Sequence, residues 1–80
     1  MRVIGTIDHP QMRISLFAMN DKYLIKFEAG PMEQTYKFPQ TQVKGLEELQ
    51  KLVDDDFCRR AMERFNEMYK DIQRLSPERT

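Results

Sequence analysis

The dipeptide Asn20-Asp21 lies between two runs of alternating residues and predicts a two-residue hairpin turn, because Asn and Asp tolerate positive backbone φ. If Met19 pairs with Lys22 across this turn, four successive apolar pairs fall on one face of the hairpin. These pairs are Ala18 with Tyr23, Leu16 with Ile25, Ile14 with Phe27 and Met12 with Ala29. A shift of one residue would move all of them to the other face, so the pattern specifies the register.

Two further turn signals extend the hairpin into an antiparallel meander of four strands. Gly30-Pro31 predicts a reversal into a strand that ends at Pro39, because proline interrupts a sheet. Asp8-His9-Pro10 predicts a turn that follows a short first strand, Arg2 to Ile7. The Gly30-Pro31 reversal adds the pairs Ile25 with Tyr36, Tyr23 with Phe38 and Phe27 with Gln34.

The same register contains one unfavourable pair, because it sets Glu28 opposite Glu33. Arg13, which pairs with Glu28 on its other side, is expected to offset this repulsion.

The second half of the chain has helical spacing and contains no Pro or Gly between Gly45 and Leu75. A first helix is expected over residues 45–53 and a second from about Asp55 to Leu75. The run Asp54 to Asp56 favours a break between them, because Asp is preferred at helix N-caps and in first turns. One uninterrupted helix over residues 45–75 is the alternative. The apolar stripe of the second helix is Phe57, Ala61, Phe65, Met68, Ile72 and Leu75.

Strands first and helices last indicate an α+β fold, in which a four-stranded antiparallel β-meander is followed by two C-terminal helices packed on one sheet face. Eighty residues make one domain, with the meander at 1–40, the helices at 44–75 and a tail at 76–80. A chain this short buries only about 60–65% of its unfolded surface, so its core is marginal and self-association is expected.

Charge and composition exclude several function classes. Thirteen basic and thirteen acidic residues give zero net charge, so no general attraction to nucleic acid or to a membrane is expected. The longest apolar run, Leu16 to Met19, is far too short to span a bilayer. One Cys and one His exclude a disulfide framework and argue against a metal site, so no metal or cofactor is expected. An unpaired cysteine fits the cytoplasm.

No arrangement of residues predicts catalysis, so we expect no catalytic residue and no enzymatic activity. Cys58 lies near the start of the second helix, where a thiol can be activated, but the preceding aspartates oppose ionisation. Its place beside the apolar stripe favours a structural thiol. His9, next to Asp8, is interpreted as a surface turn residue.

The second helix also carries a basic cluster, formed by Arg59, Arg60 and Arg64 and extended by Arg74. One hypothesis is that these four residues contact nucleic acid or a ribosome. Acidic residues three and four positions away are expected to pair with the arginines, which favours a solvated helix face instead.

The predicted outer face of the sheet is polar except for an apolar island of Phe17, Met19 and Leu24. Clustered exposed apolar residues rimmed by charge are typical of a contact site. We therefore expect a homodimer that is joined through this outer face or through the second helix. An unidentified protein partner is the alternative.

Two stretches, Ile7-Asp8-His9-Pro10 and the segment from Lys26 to Tyr36, carry a resemblance to a family of small uncharacterised bacterial proteins. The resemblance covers under a quarter of the chain. It implies no activity, cofactor or site residue.

Overall fold

The computed structural model describes residues 1–75, which form one open sheet and two helices. The strands run antiparallel in the order β1-β2-β3-β4 and the helices follow, so the predicted α+β architecture is confirmed. Among the described residues, no helix is long and apolar enough to cross a membrane. The elements are β1 (Arg2–Ile7), β2 (Arg13–Met19), β3 (Lys22–Ala29), β4 (Met32–Pro39), α1 (Leu46–Leu52) and α2 (Asp55–Leu75).

The pairing of β2, β3 and β4 follows the predicted register. Met19 lies opposite Lys22, and the β2–β3 ladder continues without interruption to Arg13 opposite Glu28. The β3–β4 ladder runs unbroken from Lys22 to Ala29 on β3. Asn20 has φ 53° and Gly30 has φ 61°, so each turn begins with a residue that accepts the left-handed region.

Strand β1 is less regular than the other three, because its register against β2 shifts between Val3 and Gly5. Helix α1 packs against this irregular strand. A Cβ added to Gly5 would lie 3.3 Å from Cδ1 of Leu46, so the missing side chain is what allows the helix to approach.

The core lies between the inner sheet face and the two helices, as the alternation predicts. Phe27 and Phe65 are the largest of its fully buried side chains. Phe27 belongs to the sheet and Phe65 to α2, so both layers contribute large side chains to one core. The buried core residues are Met12, Ile14, Leu16, Ile25, Phe27, Val43, Leu49, Val53, Cys58, Ala61 and Phe65.

The two helices are separate, so the alternative of one uninterrupted helix is wrong. Helix α1 ends at Leu52 and α2 begins at Asp55. A carboxylate oxygen of Asp54 accepts a hydrogen bond from the backbone N–H of Phe57 at 2.8 Å, which makes Asp54 the N-cap of α2. The predicted tail at 76–80 lies outside the described residues.

The apolar stripe of α2 is buried only in part. The Gln34 side chain donates to the backbone oxygen of Ala61 at 3.0 Å, and Phe65 and Met68 still belong to or pack against the core. Beyond Met68, α2 continues for about 10 Å to Leu75. Ile72 is 37% exposed and Leu75 is 75% exposed. The end of α2 that projects beyond the core contributes to the elongated shape. The radius of gyration is 14.3 Å, whereas a compact chain of this length has about 12 Å.

The like-charged pair of Glu28 and Glu33 is present as predicted, but Lys26 rather than Arg13 offsets it. The Lys26 ammonium lies 3.3 Å from the Glu33 carboxylate. Lys26 faces outward on β3, diagonal to Glu33, which places its flexible side chain within reach of the carboxylate.

Candidate interaction surface

The uncovered face of the sheet carries an apolar row that crosses three strands. Val3 on β1 pairs with Phe17 on β2, and Phe17 pairs with Leu24 on β3. Met19 lies one step along β2 on the same face. We call these four residues the outer row. All three residues of the predicted apolar island therefore belong to it.

The members of the outer row differ widely in exposure. Val3 is 59% exposed, and Phe17 and Met19 are half-buried. Leu24 is only 6% exposed, although it lies on the uncovered face, because Phe17 and Lys37 flank it on both sides. The accessible part of the row is therefore shifted from Leu24 towards Val3.

Polar and charged side chains surround the outer row. Lys22 follows Met19 across the turn, and Lys37 lies opposite Leu24. Further along the strands, Thr6 pairs with Ser15 and Lys26 with Thr35. The long stems of lysine lie along apolar surface while the ammonium stays in water, so these residues border the row without opposing its burial.

Val3 is the member of the row that the sequence pattern misses. The register of β2 against β3 follows from a two-residue turn, but β1 is joined to β2 by a longer loop and contains an irregularity. Simple alternation counted along the chain therefore fails at this strand. Val3 is a β-branched residue in a predicted strand, but the sequence does not show which face of the sheet it lies on until the register shift in β1 is known.

The basic cluster is largely neutralised within α2, as expected. Arg59 contacts Asp56 at 2.7 Å and Glu63 at 3.2 Å, and Arg60 contacts Asp56 at 3.1 Å. The hydrogen bond from Arg59 lowers the pKa of the Asp56 carboxyl, and the same bond raises the pKa of Arg59. These two arginines therefore offer phosphate contacts only in competition with their own carboxylates.

Arg64 has a different role, because it holds α2 against β4. Its guanidinium donates to the Tyr36 hydroxyl at 2.8 Å and lies 5.9 Å from the centre of the Tyr36 ring. The Tyr36 hydroxyl in turn donates to the side-chain oxygen of Gln34 at 2.9 Å. Arg74 is exposed in the last turn of α2, away from the other three arginines. The structure therefore brings three of the four arginines together, since Arg59, Arg60 and Arg64 line one surface hollow with two glutamates, and it leaves Arg74 apart.

Cys58 lies in the core, and His9 lies in the loop between β1 and β2. Cys58 is buried, and burial raises the pKa of its thiol, with smaller contributions from Asp55 and Asp54. Nδ1 of His9 accepts a hydrogen bond from the backbone N–H of Gln11 at 3.1 Å, which stabilises the β1–β2 loop. Within residues 1–75, no group of three or more His, Cys, Asp or Glu side chains is placed to hold a metal ion.

Comparison with protein-family models, with curated proteins and with solved structures finds no match to this chain.

Proposed function

We propose that this chain is a non-enzymatic interaction module, and that a second copy of the chain docks on its outer row. The observation that carries the proposal is the continuous row of Val3, Phe17 and Leu24 on the sheet face that neither α1 nor α2 covers. An antiparallel sheet with one covered face normally presents polar residues on the other. An apolar row rimmed by lysines is instead typical of a contact surface.

A second copy is the favoured occupant because of the small size of the chain and the geometry of the row. A domain of 80 residues has a marginal core and gains stability when further apolar surface is buried. A two-fold contact uses the same patch on both copies, and a flat row on a sheet face can pack against itself at the usual distance of about 10 Å between sheets.

The nucleic-acid alternative has less support, because Arg59 and Arg60 are paired with carboxylates and Arg64 is bonded to Tyr36. The exposed end of α2, with Tyr69, Ile72 and Leu75, is the other surface through which two copies could meet. Its apolar residues lie along a single helix, whereas the outer row crosses three strands and presents a broader surface, so we place the contact on the outer row.

The proposal is tested by placing a carboxylate in the row. Val3→Glu is expected to halve the mass that sedimentation equilibrium gives for the assembly, because an ionised side chain is costly to bury in an apolar contact. Thr6→Glu is the matched control, since Thr6 is an exposed residue of the same strand outside the row. Leu24 is left unchanged, because its burial would confuse dissociation with unfolding.

An unchanged mass for Val3→Glu contradicts the proposal. If Ile72→Glu lowers the mass instead, the contact lies on α2 rather than on the sheet.

A further inference from the structure

Within residues 1–75, strand β4 is an edge of the sheet with one side of its backbone open for pairing. It lies last in the strand order, and β3 is its one strand partner in this part of the chain. Ala29 and Met32 flank the two-residue turn, so they form a hydrogen-bonded pair, and such pairs then recur at every second residue. The backbone groups of Gln34, Tyr36 and Phe38 therefore face β3. Those of Glu33, Thr35 and Lys37 point away from the sheet.

The two edges of the sheet are protected to different degrees. β1 has six residues and a register shift at Val3 and Gly5, and such irregularities discourage further pairing. β4 has eight residues in unbroken register, and its proline stands only at the last position, Pro39. Natural edges are blocked by bulges, prolines, short strands or outward charges, above all lysine. Between Met32 and Phe38, β4 has no bulge and no proline, and its outward charges are Glu33 and Lys37, which are of opposite sign.

We propose that the β4 strands of two copies pair antiparallel around a two-fold axis at Thr35, so that two four-stranded sheets become one continuous sheet. Thr35 then faces Thr35 of the second copy. Glu33 of each copy faces Lys37 of the other, so this pair occurs twice. All facing residues are ones whose backbone groups point outward. The contact therefore forms about six backbone hydrogen bonds, two for each facing pair.

Charge selects this register among the alternatives. Moving the axis to Glu33 sets Glu33 against itself, and moving it to Lys37 sets Lys37 against itself, both of which are unfavourable. A shift by one residue in one strand sets inner side chains against outer ones. Only the axis at Thr35 pairs Glu33 with Lys37, and it also sets Met32 opposite Phe38 on the inner face.

The contact would give the charged residues of β4 partners of opposite sign. Glu33 lies opposite Glu28 and is held by Lys26 from within the chain. Lys37 makes no ion pair within residues 1–75. In the paired strands, Lys37 of one copy reaches Glu33 of the other, so Lys37 gains a carboxylate partner and Glu33 gains a second cation beside Lys26.

Helix α2 leaves the edge accessible. The Phe57 ring lies 5.2 Å from the ring of Phe27 on β3 and 5.1 Å from that of Tyr36 on β4, measured between centroids. The Phe57 ring, which lies at the start of the helix, is therefore above the inner face of both strands and not beyond β4.

The decisive variant is Thr35→Pro, which removes an outward backbone N–H that the ladder within the chain does not use. Proline is tolerated at such edge positions, so the fold is expected to survive, as far-ultraviolet circular dichroism will check. Thr6→Pro is the matched control, since Thr6 also has an outward N–H but lies on the β1 edge. We expect sedimentation equilibrium to give half the mass for Thr35→Pro and an unchanged mass for Thr6→Pro.

A charge exchange tests the register itself. Lys37→Glu is expected to weaken association, because it sets two carboxylates opposite each other, and the double variant Glu33→Lys with Lys37→Glu is expected to restore it. Weakening without rescue contradicts the register with the axis at Thr35.

The edge contact and the outer row are different surfaces, so their failures are distinguishable. If both operate, Thr35→Pro and Val3→Glu each halve the mass, and their combination gives the single-chain mass of 9.6 kDa. If Thr35→Pro leaves the mass unchanged while Val3→Glu lowers it, the edge proposal is overturned and the outer row stands; the reverse result overturns the outer row alone. A wild-type mass of 9.6 kDa at the highest attainable concentration overturns both.

Discussion

The two faces of the sheet differ in how their apolar residues are used. On the inner face, Phe27 is fully buried, and its ring packs against the rings of Tyr36 on β4 and Phe57 on α2. On the outer face, Phe17 lies in a row of apolar residues of which Val3 remains mostly in water. The same hairpin supplies both phenylalanines. The difference separates residues that hold the chain together from residues that remain available to another molecule.

The largest expected contrast comes from removing one ring from each face. Phe27→Ala should lower the free energy of unfolding by about 3–5 kcal/mol, because it leaves a cavity in a closed core. Phe17→Ala should lower it by about 1 kcal/mol, because its ring is only partly buried. Urea denaturation monitored by circular dichroism at low protein concentration measures both without a contribution from association.

Equal losses at the two positions would break the comparison. They would mean that the outer row is as closely packed within a single chain as the core is, and therefore that it is unavailable for docking.

A smaller loss of unfolding free energy is expected when the N-cap of α2 is removed. Asp54→Ala removes the hydrogen bond to the Phe57 N–H and should cost about 1 kcal/mol. Asp55→Ala is the matched control, because its side chain is in the first turn but does not cap the helix. Equal unfolding free energies for the two variants would show that the cap does not hold α2 in place.

The sequence predicts the β2–β3–β4 pairing because three local signals agree there. The turn at Asn20-Asp21, the alternation on both sides and the chemistry of Gly30-Pro31 all give the same register. The break before Asp55 was predictable for a similar reason, because Asp54 is both a poor helix interior residue and a good N-cap.

What the sequence does not predict depends on distances that local patterns do not contain. Helical periodicity shows that Ile72 and Leu75 lie on the apolar side of α2, but it does not show that the sheet ends before them. Alternation places Leu24 on the outer face, but its burial depends on the side chains of Phe17 and Lys37 in neighbouring strands. Val3 joins the row only because of a register shift in β1.

The smallest expected effect is a dependence of the free energy of unfolding on pH that comes from the buried Cys58 thiol in the core. Burial raises the pKa of the Cys58 thiol, so the folded chain keeps the proton in a range where the unfolded chain has lost it. The stabilising contribution is therefore complete below the ordinary thiol pKa and is lost as the pH rises towards the raised value. Urea denaturation across this alkaline range should show a steeper decline for the wild type than for Cys58→Ala. The control is Thr6→Cys in the Cys58→Ala chain, which places a thiol on the outer face. This thiol is expected to leave the pH dependence of the unfolding free energy unchanged, because Thr6 is exposed. The same pH dependence in all three chains would contradict the assignment to Cys58.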